Sequence, residues 1–329
     1  MIACLYGRDF APFVEPVVRD LCAAAAAAGG EMQPLTIEAA RADPERRAAV
    51  HRLYILPFDG PAPVSAFIRD LFPRVEIANS FAAQDLCWDK VATEERLLNR
   101  GVPVPETLMS AEPADVFEFV RANQFAILKE RYSCAGQGHV VLWIDDGQLV
   151  GDSGSHRYRV ELVSSGRRQL CGERLIYPAP FYVQRLVGDL GPRGFIPGQL
   201  LRAYVVDGQI AFWTERYRDH YLRPADWIVN VSQGAKYRFV QNVSEEAKKI
   251  ALRSADVMGL RIGVVDLIRT GRGESYVLDI DTEGYHMLID RQFKYIPEYR
   301  DFFNLDRYIA ETLLVEPEIA RSRRATDES

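Results

Sequence analysis

Gly263-Val264-Val265-Asp266-Leu267-Ile268-Arg269-Thr270-Gly271-Arg272-Gly273-Glu274-Ser275-Tyr276-Val277-Leu278-Asp279-Ile280-Asp281-Thr282-Glu283-Gly284-Tyr285-His286 is the stretch that decides the fold. Two apolar runs flank a glycine-bearing turn, the pattern of a β-hairpin. A turn centred between Arg272 and Gly273 sets Asp266 opposite Asp279, with Cβ atoms about 4.5–5.5 Å apart, and puts Asp281 two residues along on the same face. Three carboxylates on one patch repel one another unless a cation lies between them, and oxygen ligands favour a hard ion such as Mg²⁺. The other reading is the solvated face of an edge hairpin, where aspartates are common. These residues alone leave both open.

The chain has 329 residues and is 48% hydrophobic, enough for two or three modest domains with a core each. Forty basic and 46 acidic side chains give a net charge of −6, which argues against a general nucleic-acid or anionic-membrane surface. Cys4, Cys22, Cys87, Cys134 and Cys171 are odd in number, scattered and without a Cys-x-x-Cys pair. They indicate neither a disulfide framework nor zinc, and a reducing cytoplasm fits them. No run approaches about 18 apolar residues, and no basic segment precedes Met1–Tyr6, so neither secretion nor a membrane span is expected.

Outward from the hairpin, Ser244 opens a helix with Glu245 and Glu246 in its first turn, running to Met258-Gly259. Gln199–Val206 and Gln209–Arg216 read as a hairpin across Asp207-Gly208, a type I′ sequence. Pro180–Val187 reads as a strand entering a Gly/Pro-rich loop, Gly188–Gly198. The region from Trp143 to Pro180 is a set of short alternating runs, Tyr158–Val163 and Gln169–Tyr177 among them, with turns at Asp145-Asp146-Gly147 and Ser164-Ser165-Gly166 that suggest hairpins. At the N-terminus a strand to Gly7, a helix ending at Gly29-Gly30 and a second β-α pair suggest a small parallel sheet. Val102-Pro103-Val104-Pro105 marks a junction after the Asp89–Gly101 helix, Glu112–Asn123 is a further helix, and a last helix spans about Asp301–Leu314.

Several features follow one another in a definite order: Lys90 heading a helix, Lys129 ending an apolar strand before the loop Ser133-Cys134-Ala135-Gly136-Gln137-Gly138, the strand Val183–Val187, Arg202 and Arg216 on a hairpin, Asn230 to Gly234, and the acidic hairpin. That order resembles the ATP-grasp superfamily, most closely its RimK-like and glutathione-synthetase-like carboxylate–amine ligases, over roughly Asp89 to His286. The resemblance implies an α/β (α+β) protein: a small parallel β-α domain over 1–88, a central ATP-grasp subdomain over 89–187 and a C-terminal one over 188–329, the last two sandwiching ATP. It implies an ATP-dependent ligase that forms an amide through an acylphosphate and releases ADP and phosphate.

Carried over by position, the resemblance places Lys90 and Lys129 on the α- and β-phosphates, with Ser133, Gly136 and Gly138 closing over the triphosphate. It places Gln184, Arg185 and Val187 at the adenine and Asp189 at the ribose. Arg202, Arg216 and Asn230 then serve the transferred phosphate and the substrate carboxylate. Asp266, Asp279 and Asp281 would hold Mg²⁺, as two ions, with Mn²⁺ as a substitute, and Glu283, Tyr285 and His286 would face the substrate. As isolated residues Lys90, Arg202 and Arg216 are ordinary surface side chains and Gly136-x-Gly138 is an ordinary turn, whereas Lys129, a charge ending an apolar strand, is expected to meet a partner.

Two departures stand out. The family usually ends the hairpin on Glu-x-Asn, where this chain has Asp279-Ile280-Asp281, and the Trp143–Pro180 segment is longer than in RimK relatives and lacks a helix expected there. The expected partners are small-molecule or peptide carboxylates and amines, with no nucleic acid and no membrane, and the family often forms homo-oligomers. Two competing functions are a maturase closing ester or amide links within a precursor peptide and a nucleotide-binding regulatory protein without chemistry.

Overall fold

Apolar runs alternating with helix-forming stretches dictate the first layer of the protein. In the computed structural model, which describes residues 1–56, 64–133, 138–154, 156–191, 194–230, 234–282 and 305–314, they form a parallel sheet. Its strands β1 (Ile2–Tyr6), β2 (Met32–Thr36), β3 (Arg52–Ile55) and β4 (Glu76–Ile77) stand in the order β2-β1-β3-β4. The covering helices are α1 (Ala11–Ala27), α2 (Ile37–Ala42), α3 (Pro44–Ala48) and α4 (Val64–Leu71). Gly29 ends α1 at φ +81°, and Gly30 N–H returns to the Ala25 carbonyl, a left-handed stop that a Cβ would strain.

Two helices, α5 (Phe81–Trp88) and α6 (Lys90–Leu98), lead into an eight-stranded sheet. Its members are β5 (Thr107–Ser110), β6 (Ala126–Lys129), β7 (Val140–Asp145), β8 (Gln148–Asp152), β9 (Arg157–Val163), β10 (Gln169–Cys171), β11 (Arg174–Pro178) and β12 (Phe181–Arg185), in the order β10-β11-β9-β8-β7-β6-β12-β5. Helix α7 (Pro113–Asn123) packs Val116 and Val120 on it. The Trp143–Pro180 expectation of hairpins needs correcting in one place. β9 and β11 pair in parallel, so Ser164-Ser165-Gly166 is not a hairpin turn, and the Gln169–Tyr177 run is broken at Gly172, φ +60°, into the antiparallel pair β10 and β11.

The expected loop Gly188–Gly198 is also corrected: β13 (Gly188–Gly191) and β14 (Gly194–Pro197) make a two-stranded ribbon. Five antiparallel strands follow, β15 (Gln199–Val206), β16 (Gln209–Tyr217), β17 (Lys236–Val240), β18 (Ile262–Arg269) and β19 (Ser275–Asp281), ordered β17-β16-β15-β18-β19. Asp207 and Gly208 both take positive φ, as a type I′ turn requires. Helix α8 (Glu245–Met258) begins where Ser244 Oγ accepts from Ala247 N–H. It lays Ala247, Ala251 and Ala255, spaced at i, i+4 and i+8, against Ala203, Val205, Val265, Leu267, Val277 and Ile280. The last described helix, α9 (Leu305–Leu314), joins α1.

Strand alternation then assigns the other face of the five-stranded sheet. At one end Tyr204, Val206, Phe212, Ile262 and Val264 share a core with Val14, Val17, Leu21, Ile309 and Leu313, so the N-terminal layer is seated on this sheet. At the other end Leu200 and Ile268 pack with Val187, Val229 and Ala235. Between the two apolar patches the same face carries Arg202, Arg216 and Asp266, each less than a tenth exposed. Asn79, 3% exposed, stitches the layers: its Nδ2 donates to the Ile262 carbonyl at 2.6 Å, and its Oδ1 accepts from the Arg261 and Ile262 N–H groups.

Candidate active site

The acidic hairpin forms, with a change of register at its tip. Arg269 pairs with Ser275, so the turn is one residue tighter than expected, and Leu278 is an extra residue between the Leu267–Val277 and Asp266–Asp279 pairs. This β-bulge restores Asp266 opposite Asp279. It also reverses the alternation along β19. Val277 and Ile280, three residues apart, both face α8, which turns Asp279 and Asp281 to the side of Asp266. Gly263 sits where a Cβ would stand 2.8 Å from the Asp281 carbonyl oxygen, so the two strands approach there as only glycine allows.

Asp266 and Asp279 on this patch are paired with cations. Asp266 accepts from Arg202 Nε at 2.6 Å and Nη2 at 2.7 Å, a two-pronged contact, and Arg216 lies at 3.5 Å. Burial pushes the Asp266 carboxyl up, but Arg202 and Arg216 outweigh it and leave it lowered. Lys90, first residue of α6 behind the Asp89 cap, donates to both Asp279 oxygens at 3.0 and 2.9 Å. Burial lowers this ammonium, yet Asp279, Asp281 and Asp266 raise it overall. Among the described residues no three Asp, Glu, His or Cys side chains are arranged as a metal-holding group.

Arg216 differs from Arg202. It is 9% exposed, burial and the neighbouring Arg202 lower its basicity, and its Nε is buried with no hydrogen-bond partner. A buried guanidinium donor without an acceptor costs stability unless an anion meets it. Lys129 presents a second excess of positive charge. Its Nζ reaches Gln184 Oε1 at 2.5 Å, with the Tyr182 ring centre 5.8 Å away, and it is 6% exposed. Burial lowers it to about 8, with Glu94 and Asp279 opposing and Lys90 assisting.

The remaining sequence candidates are placed as follows. Ser133 Oγ donates to the Glu130 carbonyl, and Gly138, at φ +75°, lies against Glu130 and Arg168. Arg185 sits over the Tyr276 ring, Val187 is buried beside Leu200 and Ile268, and Asp189 accepts from Gly271 N–H at the hairpin tip. Asn230 follows the short turn Pro224–Trp227, and its carbonyl accepts from Ala235 N–H. Gly136, Glu283, Tyr285 and His286 lie outside the described residues.

Sequence reasoning passed over Glu94, on α6 one turn after Lys90. It is buried, and its Oε1 accepts from Tyr182 OH at 2.5 Å and, in a shorter contact, from Gln184 Nε2. In sequence Glu94-Glu95 reads as a solvated helix pair. Only the packing of α6 against β12 separates them.

Residues 196–294, which contain Arg202, Arg216 and the acidic hairpin, match the model of the RimK-like ATP-grasp domain. This C-terminal stretch is similar to the RimK-like ATP-grasp domain. The tetrahydromethanopterin:alpha-L-glutamate ligase of Methanocaldococcus jannaschii is 25% identical over 189 residues, 57% of this chain and 56% of that one. The chain thus spans about half the length of this curated relative. Among solved structures, the ATP-grasp ligase PsnB complexed with minimal precursor superposes with a TM-score of 0.60 at 16% identity, covering 95% of this chain and 97% of PsnB. The D-alanine–D-alanine ligase from Bacillus anthracis gives 0.59 at 13% identity, covering 98% and 99%. At these identities the superpositions establish the ATP-grasp fold. No helix of the described residues is long and apolar enough to cross a membrane.

Proposed function

We propose that this ATP-grasp protein is an ATP-dependent ligase that joins a carboxylate to an amine through an acylphosphate, releasing ADP and phosphate. The observation that carries the proposal is the buried basic group Lys90, Lys129, Arg202 and Arg216 facing the acidic hairpin, with Arg216 Nε unmatched. Phosphoryl transfer asks the protein for positioning and charge neutralisation, and this is what four buried cations beside carboxylates supply. The donor chemistry also fits magnesium, because Asp279, whose two oxygens accept from Lys90 in this structure, and Asp281 offer hard oxygens from one strand face. Asp266, both of whose oxygens are engaged by Arg202, also holds that guanidinium in place. When bound, the metal would neutralise phosphate charge.

In this reading Lys90 and Lys129 bind the phosphates. Arg216 takes the transferred group or the substrate carboxylate with its free Nε edge, and Arg202 is its buried neighbour. PsnB is complexed with a precursor, and the long mixed extension β7–β11, with the exposed edge strand β10, favours a peptide as an alternative substrate for the same chemistry. Phosphate release with MgATP, measured across a panel of carboxylates and amines that includes peptides, tests the proposal. Release that requires both an acid and an amine supports it. Absence of nucleotide binding at millimolar MgATP refutes it.

A further inference from the structure

Gln184 has an amide whose two ends are chemically opposite, and both are committed. Its Nε2 donates to Glu94 Oε1, with Thr107 Oγ1 at 3.3 Å as a second acceptor, and its Oε1 accepts from Lys129 Nζ. Turning the amide over would face its carbonyl to the Glu94 carboxylate and its NH₂ to the Lys129 ammonium. Glu94 therefore sets the orientation of Gln184, and Gln184 sets the position of the lysine. Tyr182 OH, donating to the same Glu94 oxygen, closes the other side. Glu94, Gln184 and Lys129 are each less than a tenth exposed, so solvent does little to screen the arrangement.

We infer that Glu94 is a positioning residue of the nucleotide site, acting through the Gln184 amide to hold Lys129 Nζ in place and to keep it an ammonium. The inference rests on the nucleotide site proposed above. It goes further in giving a buried carboxylate outside the acidic hairpin control over one phosphate-binding charge. The groups facing Lys129 are Glu94 and Lys90 from α6, Asp279 from β19, the Tyr182 ring from β12, and His139, whose own basicity Lys129 depresses, beside β7. Of these Glu94 has the largest charge influence, and it opposes the loss of the proton. Lys129 hydrogen-bonds none of the three hairpin aspartates.

The test uses the full chain with ¹³C-labelled lysine, the Lys129 resonance being identified by its absence in Lys129→Met. Glu94→Gln keeps an acceptor for Tyr182 and Gln184 and removes the charge. The Lys129 midpoint, about 8 in the parent, is expected to fall by about one pH unit. MgATP affinity measured calorimetrically should then match the parent well below the parent's midpoint and be about tenfold weaker above it. Gln184→Leu should lower the midpoint in the same direction. Gln184→Glu in the Glu94→Gln background should raise it again by returning a carboxylate to the lysine.

A purely structural role for Glu94 would change the melting temperature and leave the midpoint and the affinity ratio where they were. An unchanged midpoint in both single variants, with MgATP binding intact, overturns the role of Glu94 alone. A parent protein that binds no MgATP at any pH overturns the proposed function and the positioning role with it.

Discussion

Lys129→Met should make the ligand-free protein more stable while removing its response to nucleotide. A lysine amine ordinarily titrates at 10.5, and burial holds Lys129 at about 8. Keeping it charged at neutral pH therefore costs the folded chain about 3 kcal/mol. Methionine fills the same space without charge, but it leaves Gln184 Oε1 without its donor, a loss of about 1–2 kcal/mol. The net expectation is a gain of about 1–2 kcal/mol, seen as a higher denaturant midpoint at unchanged slope. The sign of the pH dependence follows from proton counts. Between pH 8 and 10.5 the unfolded chain retains a proton on this lysine that the folded chain has released, so parent stability rises with pH over that window. The advantage of Lys129→Met is therefore largest below pH 8 and shrinks as the pH approaches 10.5. Millimolar MgATP should raise the parent's midpoint and leave that of the variant where it was. A variant less stable than the parent by more than about 1 kcal/mol, or a gap that ignores pH, would refute the reasoning.

The two buried arginines should respond in opposite directions. Arg216→Met removes a cation disfavoured by burial and by Arg202 and should stabilise the fold by about 1 kcal/mol while abolishing phosphate release, whereas Arg202→Met leaves the buried Asp266 carboxylate with only the more distant Arg216 and should cost about 3 kcal/mol. Thermal melts of both, read against turnover, check the pair. Asp279→Asn should keep the fold and end ADP release; wild-type rates would end its assignment to metal binding. Asn79→Ala should cost about 2–3 kcal/mol in denaturant titrations, because it unpairs buried backbone groups of Arg261 and Ile262.

What the sequence disclosed and what it withheld divide along physical lines. Gln199–Val206 could be read as a buried strand because seven of its eight residues are buried, and Asp207-Gly208 as its turn because few other pairs accept two positive φ angles. Arg202 was marked only by its place in the family order, since an arginine taken alone reads as a surface side chain. Glu94 did not, since a glutamate beside another in a helix carries no local mark of burial. The parallel pairing of β9 with β11 was hidden for a related reason: short alternating runs specify strands but not the direction of their neighbours. The ribbon Gly188–Pro197 read as loop because glycine and proline dominate it. Its pairing depends on a tight approach, with a Cβ on Gly188 falling 2.3 Å from the Ile196 carbonyl oxygen.

The bulge at Leu278 works as a phase shifter. The half of the acidic hairpin near Gly271 and the half bearing Asp279 and Asp281 run out of step by one residue, so each half keeps an apolar side chain, Val277 or Ile280, on α8. The hairpin is accordingly two modules joined at a single position. Changes of length at the tip can be absorbed there without disturbing the carboxylates. By the same logic, deleting Leu278 alone would leave Asp279, Ile280 and Asp281 facing as they do, whereas regular pairing with Leu278 retained would point Asp279 and Asp281 toward the alanine stripe of α8 and set Ile280 among the arginines.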